Sequence, residues 1–445
     1  MTGVLPLRRP VAAQFLLLFG LLGAMGFGRY HLFLHTRELA GLCAAVLFFW
    51  LVSTTRIKRS GAWSLLLPVL APGLTAALFA YVFYVRTGYS PLPSLLAQRD
   101  LTFFLIAPSV YLLHKRGWRL NNFRDVFVLA AATTVTYYVA SYFTVDAQSW
   151  LNSGDPYQQS LVVYDEARGY RLKGPLFIML FLALYCGAQL LRSGRSGSRT
   201  GLFFALAALN TVLLVVNFPR TLLFSVVLAL AVYGVFLRRP ARVGLLAALV
   251  PILACLGVLA VRPLLDILGT SFGQDWSYMA RVETSARAWD YFLEYPLFGF
   301  GQDSKQTVAF QDLFGHQFFP QDIGLLGVAF KFGLVGACLY LLLATWLVVG
   351  LLKMLWASNV GGASGQRSFV WALFVTCLTI VVAAPLQAAF IYGEGIPVAA
   401  VAWGLLLAQR HRAPGGPRDT RPAMPSGAAG RATVGAERSR VGWGP

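Results

Sequence analysis

Arg220 follows Asn217-Phe218-Pro219 and opens an apolar run over residues 221–237. A guanidinium there is pinned to a membrane boundary, where it either snorkels toward water or offers its planar fork to phosphate oxygens. Arg168, Arg171 and Lys173, in ARGYRLKG, stand in the same way just before the apolar run 175–191. Arg281 belongs to WSYMARVETSARAWDYFLEY, residues 276–295. Its spacing predicts an amphipathic helix with Met279, Val282, Ala286, Trp289 and Leu293 on the apolar face, Asp275 as cap and Pro296 as stop. Along that helix Glu283, Arg287, Asp290 and Glu294 are spaced as a salt ladder. The ladder gives Arg287 a structural part, with ligand contact as its other reading. Arg281 has no acid at i+3, i+4 or i−4, so its charge is free to meet a ligand. Several cations at one depth point to a doubly charged anion such as a lipid pyrophosphate.

His316 and Asp322 lie in FGHQFFPQDIGLLGVAFKFGLVG, residues 314–336. Either could orient or deprotonate an acceptor hydroxyl; the plainer readings are a solvated histidine and a helix-capping aspartate. Lys331 and Glu394 are ionisable groups within apolar runs, and such groups are functional candidates in a membrane. Pro296-Leu297-Phe298-Gly299-Phe300-Gly301 reads as a tight turn whose glycines leave backbone N–H groups exposed. Cys43, Cys186, Cys255, Cys338 and Cys377 fall far apart inside apolar runs and read as small core residues. They have no metal-ligand spacing, so neither a metal nor a cofactor is expected.

The elements that must position these residues are membrane spans. Of 445 residues, 57% are apolar and 12% charged, whereas soluble domains carry about 25% charged residues. Twelve apolar runs are candidates for helices crossing a core about 30 Å thick: 11–27, 39–53, 63–85, 101–114, 126–143, 175–191, 201–217, 221–237, 243–261, 323–352, 369–384 and 386–408. The fourth and second are short, the last is interrupted, and 323–352 is too long for one upright helix. Arg8-Arg9 followed by the first run resembles a signal peptide but reads as an uncleaved first anchor.

With both termini inside, 24 Lys and Arg fall on cytoplasmic segments and 12 on outer ones, while 15 of the 18 acids fall outside. This is the positive-inside pattern. The net charge of +19 is thus a topology signal and gives no support to nucleic-acid binding. The fold class is an all-α polytopic membrane protein of about twelve transmembrane helices. Residues 1–408 make the membrane domain, with long outer loops at 144–174 and 262–322, so any chemistry sits on the outer face. The tail, 409–445, is rich in Gly, Pro, Ala and Arg and reads as disordered, its arginines lying against anionic inner-leaflet lipids.

Pro219-Arg220-Thr221, then Arg281 with Trp289 and Glu294-Tyr-Pro-Leu-Phe-Gly-Phe-Gly301, then the helix carrying Gly333-Leu-Val-Gly336, resemble the O-antigen ligase and polymerase superfamily of the Wzy-C type. The resemblance covers roughly residues 200–350. It implies a GT-C-like fold in a bacterial inner membrane with a helical periplasmic loop and a periplasmic active site. It also implies metal-independent transfer of a glycan from undecaprenyl pyrophosphate to an acceptor, either lipid A core or another glycan, in lipopolysaccharide or exopolysaccharide assembly. Arg220 and Arg281 match the arginines that hold the donor pyrophosphate, with Arg168, Arg171 and Lys173 as auxiliaries. The family carries a His about eleven residues before its Gly-Leu-x-Gly. Counting back from Gly333 reaches Asp322, whereas His316 has the family spacing to Gly327; both are candidates for the acceptor side. A flippase or other lipid-linked sugar transporter is the alternative, but transporters usually show internal repeats and midplane charges, whereas no repeat is seen here, most of the candidate charge falls at the outer surface and the long loop 262–322 would be idle.

Overall fold

The computed structural model describes residues 10–31, 36–55, 57, 59–155, 158–159, 161–165, 169–193, 198–217, 220–237, 276–303, 309–315, 318–357, 364–385, 387–391, 393 and 395–410. Among them the chain is helical apart from one hairpin. The first half comprises α1 (Pro10–Ala24), α2 (Thr36–Thr54), α3 (Arg59–Thr87), α4 (Pro91–Ala97), a 3-10 turn (Arg99–Leu105), α5 (Ile106–Lys115), α6 (Leu120–Thr144), α7 (Ala147–Leu151), β1 (Val162–Asp165) and β2 (Gly169–Leu172). The second comprises α8 (Leu176–Ser193), α9 (Ser198–Asn217), α10 (Arg220–Leu237), α11 (Trp276–Glu294), α12 (Phe310–Phe314), a 3-10 turn (Pro320–Ile323), α13 (Gly324–Ala357), α14 (Ser364–Ala383) and α15 (Gly395–Arg410). The expected run 243–261, the cap at Asp275 and the tail beyond Arg410 lie outside the described residues.

Five helical stretches among the described residues are long and apolar enough to cross a membrane: Thr36–Thr54, Leu65–Thr87, Leu120–Thr144, Pro320–Ala357 and Gly365–Ala383. Shorter apolar helices stand at Val11–Ala24, Leu176–Leu191, Gly201–Leu213, Phe224–Gly234 and Gly395–Arg410. The run expected at 101–114 is divided between the first 3-10 turn and α5, whose residues Ile106–Leu113 are all buried. The last run becomes helix only from Gly395.

The packing is inverted relative to a water-soluble protein. α14 and α15 are buried on nearly every side, and α14 packs on α8, α10 and α13. Large apolar residues of the outer helices, among them Phe15, Phe49, Leu74 and Leu342, point outward. Facing lipid tails rather than water, they lose nothing by exposure.

The long helix α13 is broken. Gly333 has φ 61° and ψ −164°, a conformation open only to glycine. A break inside the bilayer frees backbone groups that water cannot reach, so protein must satisfy them. The segment from Pro296 to Gly301 does so. The N–H groups of Phe300 and Gly301 donate to the carbonyls of Phe330 and Lys331, each at 2.8 Å, and the N–H groups of Leu334 and Val335 donate to Pro296 and Leu297 at 2.8 and 3.2 Å.

This corrects the reading of PLFGFG as a turn with exposed donors. The N–H of Gly299 is also used, by the Tyr295 carbonyl at 3.0 Å. The glycines are required by close approach: a Cβ on Gly299 would lie 2.5 Å from the Phe330 oxygen, and one on Gly301 would lie 2.4 Å from the Phe83 nitrogen of α3.

Gly333→Ala and Gly299→Ala should each lower stability by more than ~2 kcal/mol, since each adds a backbone clash to the left-handed strain. Gly88→Ala has the strain (φ +75°) but open space around it and should cost only about 1 kcal/mol. Thermal unfolding in detergent separates them; equal losses at all three positions would contradict the clamp.

Candidate functional site

The helix expected over 276–295 forms as α11, but the face it buries is not the expected one. Ala280, Thr284, Ser285 and Ala288 are buried, while Met279 and Leu293 are 52% and 60% exposed. α11 packs against α13 and the Pro320–Ile323 turn. Small residues let the helix axes approach closely, and the large apolar side chains are left to face outward. Arg281, one turn before Ser285, lies on this same face and is half-buried. Glu283, Arg287, Asp290 and Glu294 are exposed on the other side.

The ladder reduces to one ion pair among the described residues, Arg287 to Glu283 at 2.6 Å. The other arm of Arg287 donates to the Phe314 carbonyl. Arg287 therefore ties α11 to the end of α12.

Asp322 is brought to α11 by backbone. Thr284 Oγ1, three residues after Arg281, accepts the Phe319 N–H at 3.2 Å, and Phe319 leads directly into the Pro320–Ile323 turn. Arg281 and Asp322 thus stand within about one turn of the two ends of a single hydrogen bond. Asp322 is exposed. Among the described residues its carboxylate makes no hydrogen bond, so the capping role allowed by its position is not realised. Instead α13 starts at Gly324, φ +54°, with the Leu325 N–H donating to the Ala384 carbonyl at 2.8 Å.

The carboxylate of Asp322 is within Coulomb reach of two lysines. Lys173 follows β2, whose hairpin pairs Val162 with Leu172, Val163 with Arg171 and Tyr164 with Tyr170. Lys173 is exposed to solvent, and neighbouring protein partly desolvates its ammonium. That desolvation pushes its ammonium below the ordinary value, Asp322 pulls it back up, and Arg29 pushes it further down. Arg171, two residues earlier, is half-buried.

The second lysine, Lys331, is 1% exposed and lies 3.8 Å from the Asp303 carboxylate, itself 5% exposed. Asp303 also accepts from Gln302 Nε2 at 2.6 Å and from the Phe310 N–H at 3.4 Å. The ammonium stands 5.0 Å from the centre of the Phe310 ring. Phe300, Phe310, Phe314, Phe318 and Phe330 interlock around it with centroid separations between 4.8 and 6.3 Å. Lys331 is thus a fully enclosed member of an ion pair with Asp303, which directly follows the segment that seals the helix break.

Arg220 begins α10, and nothing of its side chain is described; Arg168, His316 and Glu394 lie outside the described residues. Among the described residues no three of His, Cys, Asp or Glu stand close enough to hold a metal ion. Sequence reasoning missed Asp303. Its signal was indirect: a cation as deep as Lys331 demands an acid, and Asp303 is the first acid after PLFGFG.

Lys331→Met or Asp303→Asn should each cost about 3–5 kcal/mol, because each leaves an uncompensated buried charge, whereas the double variant should recover a large part of the loss. Thermal melting of the four proteins tests this, and additive losses would contradict a direct pair.

No curated protein matches the chain. The model of the O-antigen ligase family matches residues 195–341, a stretch that begins before α9 and ends within α13, spanning Arg220, Arg281, the PLFGFG clamp and Asp322. The chain is a helical membrane protein that over residues 195–341 is similar to the O-antigen ligase family.

Proposed function

We propose that the protein transfers a glycan from undecaprenyl pyrophosphate to an acceptor, lipid A core or a growing glycan, at the periplasmic face of a bacterial inner membrane. It would act as an O-antigen ligase or as a polymerase in lipopolysaccharide or exopolysaccharide assembly. The observation that supports the reading is the Thr284–Phe319 hydrogen bond, which ties α11, the helix of Arg281, to the turn that carries Asp322, the carboxylate felt by Lys173.

In this mechanism an acceptor hydroxyl oxygen attacks the anomeric carbon of the donor sugar. The bond from that carbon to the pyrophosphate oxygen breaks, and its electron pair leaves with undecaprenyl pyrophosphate. The hydroxyl proton passes to Asp322 or to His316. Charge develops on the leaving group, and fixed cations in a site shielded from water stabilise it more than water does. Arg220 and Arg281 hold the pyrophosphate with bidentate contacts, and Arg168, Arg171 and Lys173 add to the positive field. The reaction is written without a metal. Lys331 and Arg287 support the frame; Glu394 has no step in it.

The test is gel analysis of surface polysaccharide from a strain lacking the gene and complemented by variants. A ligase leaves lipid-linked polymer with no long chains on lipid A, a polymerase leaves single-repeat products, and an unchanged polysaccharide profile would overturn the proposal. Arg281→Ala should reduce transfer by at least ~100-fold at normal membrane expression. Arg287→Ala should keep near-wild-type transfer per folded molecule with reduced thermal stability. Of His316→Ala and Asp322→Ala, the one that removes the base should abolish transfer and the other should only weaken it; full activity in both would remove acid–base catalysis from this segment.

A further inference from the structure

The β1–β2 hairpin is held firmly at its root and uncovered two residues further on. At the root the Lys173 N–H donates to the Leu161 carbonyl at 2.8 Å, and the Tyr138 hydroxyl of α6 donates to the Leu172 carbonyl at 3.1 Å. The Arg29 guanidinium and the Tyr30 hydroxyl, from the turn after α1, both donate to the Lys173 carbonyl. α7 packs on both strands. Direct cross-strand partners share a face, and the face alternates along each strand. Val162 and Leu172 are partners and are 4% and 2% exposed, turned into the core. Tyr164 and Tyr170 are the next pair on that same face, and they are 53% and 37% exposed. Their ring centres lie 4.8 Å apart with the planes tilted by 46°. Among the described residues neither hydroxyl makes a hydrogen bond.

The pair is therefore an open aromatic trough on a fixed support. Its neighbours argue against hydrocarbon as its surroundings: Asp165 and Arg171 adjoin the tyrosines, and Glu166-Ala167-Arg168 joins the strands. Its size excludes a protein partner. The exposed parts of the two side chains amount to roughly 200 Å², against about 800 Å² per partner in a standard interface. Such an area fits a single sugar ring. A pyranose presents a C–H face and a rim of hydroxyls, and tyrosine offers an apolar ring with a hydroxyl that both donates and accepts. The ribbon also separates two kinds of ligand. Arg171, opposite Val163, lies on the other face from the tyrosines, with Lys173 in phase with it. Cations suited to a pyrophosphate and rings suited to a sugar thus stand on opposite sides, which fits two different substrates.

We propose that Tyr164 and Tyr170 bind one sugar ring of the acceptor glycan, by stacking on the rings and by hydrogen bonds to their hydroxyls. Naming the ligand an acceptor rests on the transfer reading given above; a saccharide site at the tyrosine pair does not.

The experiment uses the purified full-length protein in detergent. It is titrated calorimetrically with the oligosaccharides that mild acid releases from the surface polysaccharide of the strain carrying the gene. Tyr164→Ala and Tyr170→Ala should each weaken binding about tenfold, whereas Tyr164→Trp, which keeps a stacking surface, should bind nearly as well as the wild type. Tyr81→Ala alters another exposed pair, Tyr81 and Tyr84 of α3 with ring centres 6.2 Å apart, and should leave binding unchanged. Thermal melting reports whether each variant folds. If the alanine variants do not, Tyr164→Phe and Tyr170→Phe decide the matter, since loss of the hydroxyl alone should weaken binding about threefold.

Transfer kinetics then identify which substrate carries the ring. In the alanine variants the KM for the acceptor should rise about tenfold while the KM for the lipid-linked donor stays the same; the reverse would overturn the assignment to the acceptor. Wild-type protein that binds no oligosaccharide, or folded alanine and phenylalanine variants with wild-type affinity, would overturn the site. Lower melting temperatures in lipid nanodiscs with saccharide binding intact would make the pair an interfacial anchor and overturn it too. Saccharide binding lost in the variants, with no glycan transfer by the wild type, would sustain the site and refute the transfer reading instead.

Discussion

A helix broken within a bilayer leaves carbonyl and N–H groups that no water can satisfy, each costing several kcal/mol, and the architecture around α13 follows from that requirement. Gly333 breaks the helix, and PLFGFG supplies two donors and two acceptors to close it. The loop can approach only where glycines stand on both sides, at Gly299 and Gly333, and at Gly301 where it meets α3. Once docked, it carries Asp303 to Lys331 and packs Phe300 against Phe330 with nearly parallel rings. The break, the buried ion pair and the aromatic cluster are thus one construction. It fixes the first turns of α13, which follow directly on the turn that carries Asp322.

Charge is distributed by depth. The enclosed charges, Lys331 and Asp303, are paired with each other and hydrogen-bonded, which is the condition under which a buried ion pair survives. Arg281, Lys173 and Asp322, by contrast, keep contact with solvent. α11 contributes by turning a face of small residues inward, so that Thr284 can reach the Phe319 backbone while Arg281, on the same face, stays half-buried. The same choice leaves Met279 and Leu293 exposed.

Local signals were legible in the sequence and distant pairings were not. The bounds of α11 and the separation of Arg281 from Arg287 could be read from periodicity and charge spacing, because both depend on residues within one turn. The buried face of α11 could not: hydrophobicity ranks Met279 and Leu293 above Ala280 and Ser285, whereas close helix packing in a membrane selects the small residues. PLFGFG looked like a turn with free donors because its partners lie some thirty residues downstream, across a break that hydropathy alone cannot register. Asp322 looked like a cap because it precedes a helix, yet the helix is entered through Gly324 in a left-handed conformation. The contact of Arg29 with Lys173 crosses most of the first half of the chain and has no sequence signal beyond the sign of the charges.

The central claim is that the cations near the head of α13 stabilise a departing pyrophosphate during glycan transfer. The most direct measurement reconstitutes the purified protein in liposomes with an undecaprenyl pyrophosphate-linked glycan and an acceptor glycolipid, and follows free undecaprenyl pyrophosphate alongside glycosylated acceptor. The account predicts that the two products appear in equal amounts without added divalent metal. Movement of the glycan across the bilayer with its pyrophosphate linkage intact, and no release of the lipid carrier, would contradict it.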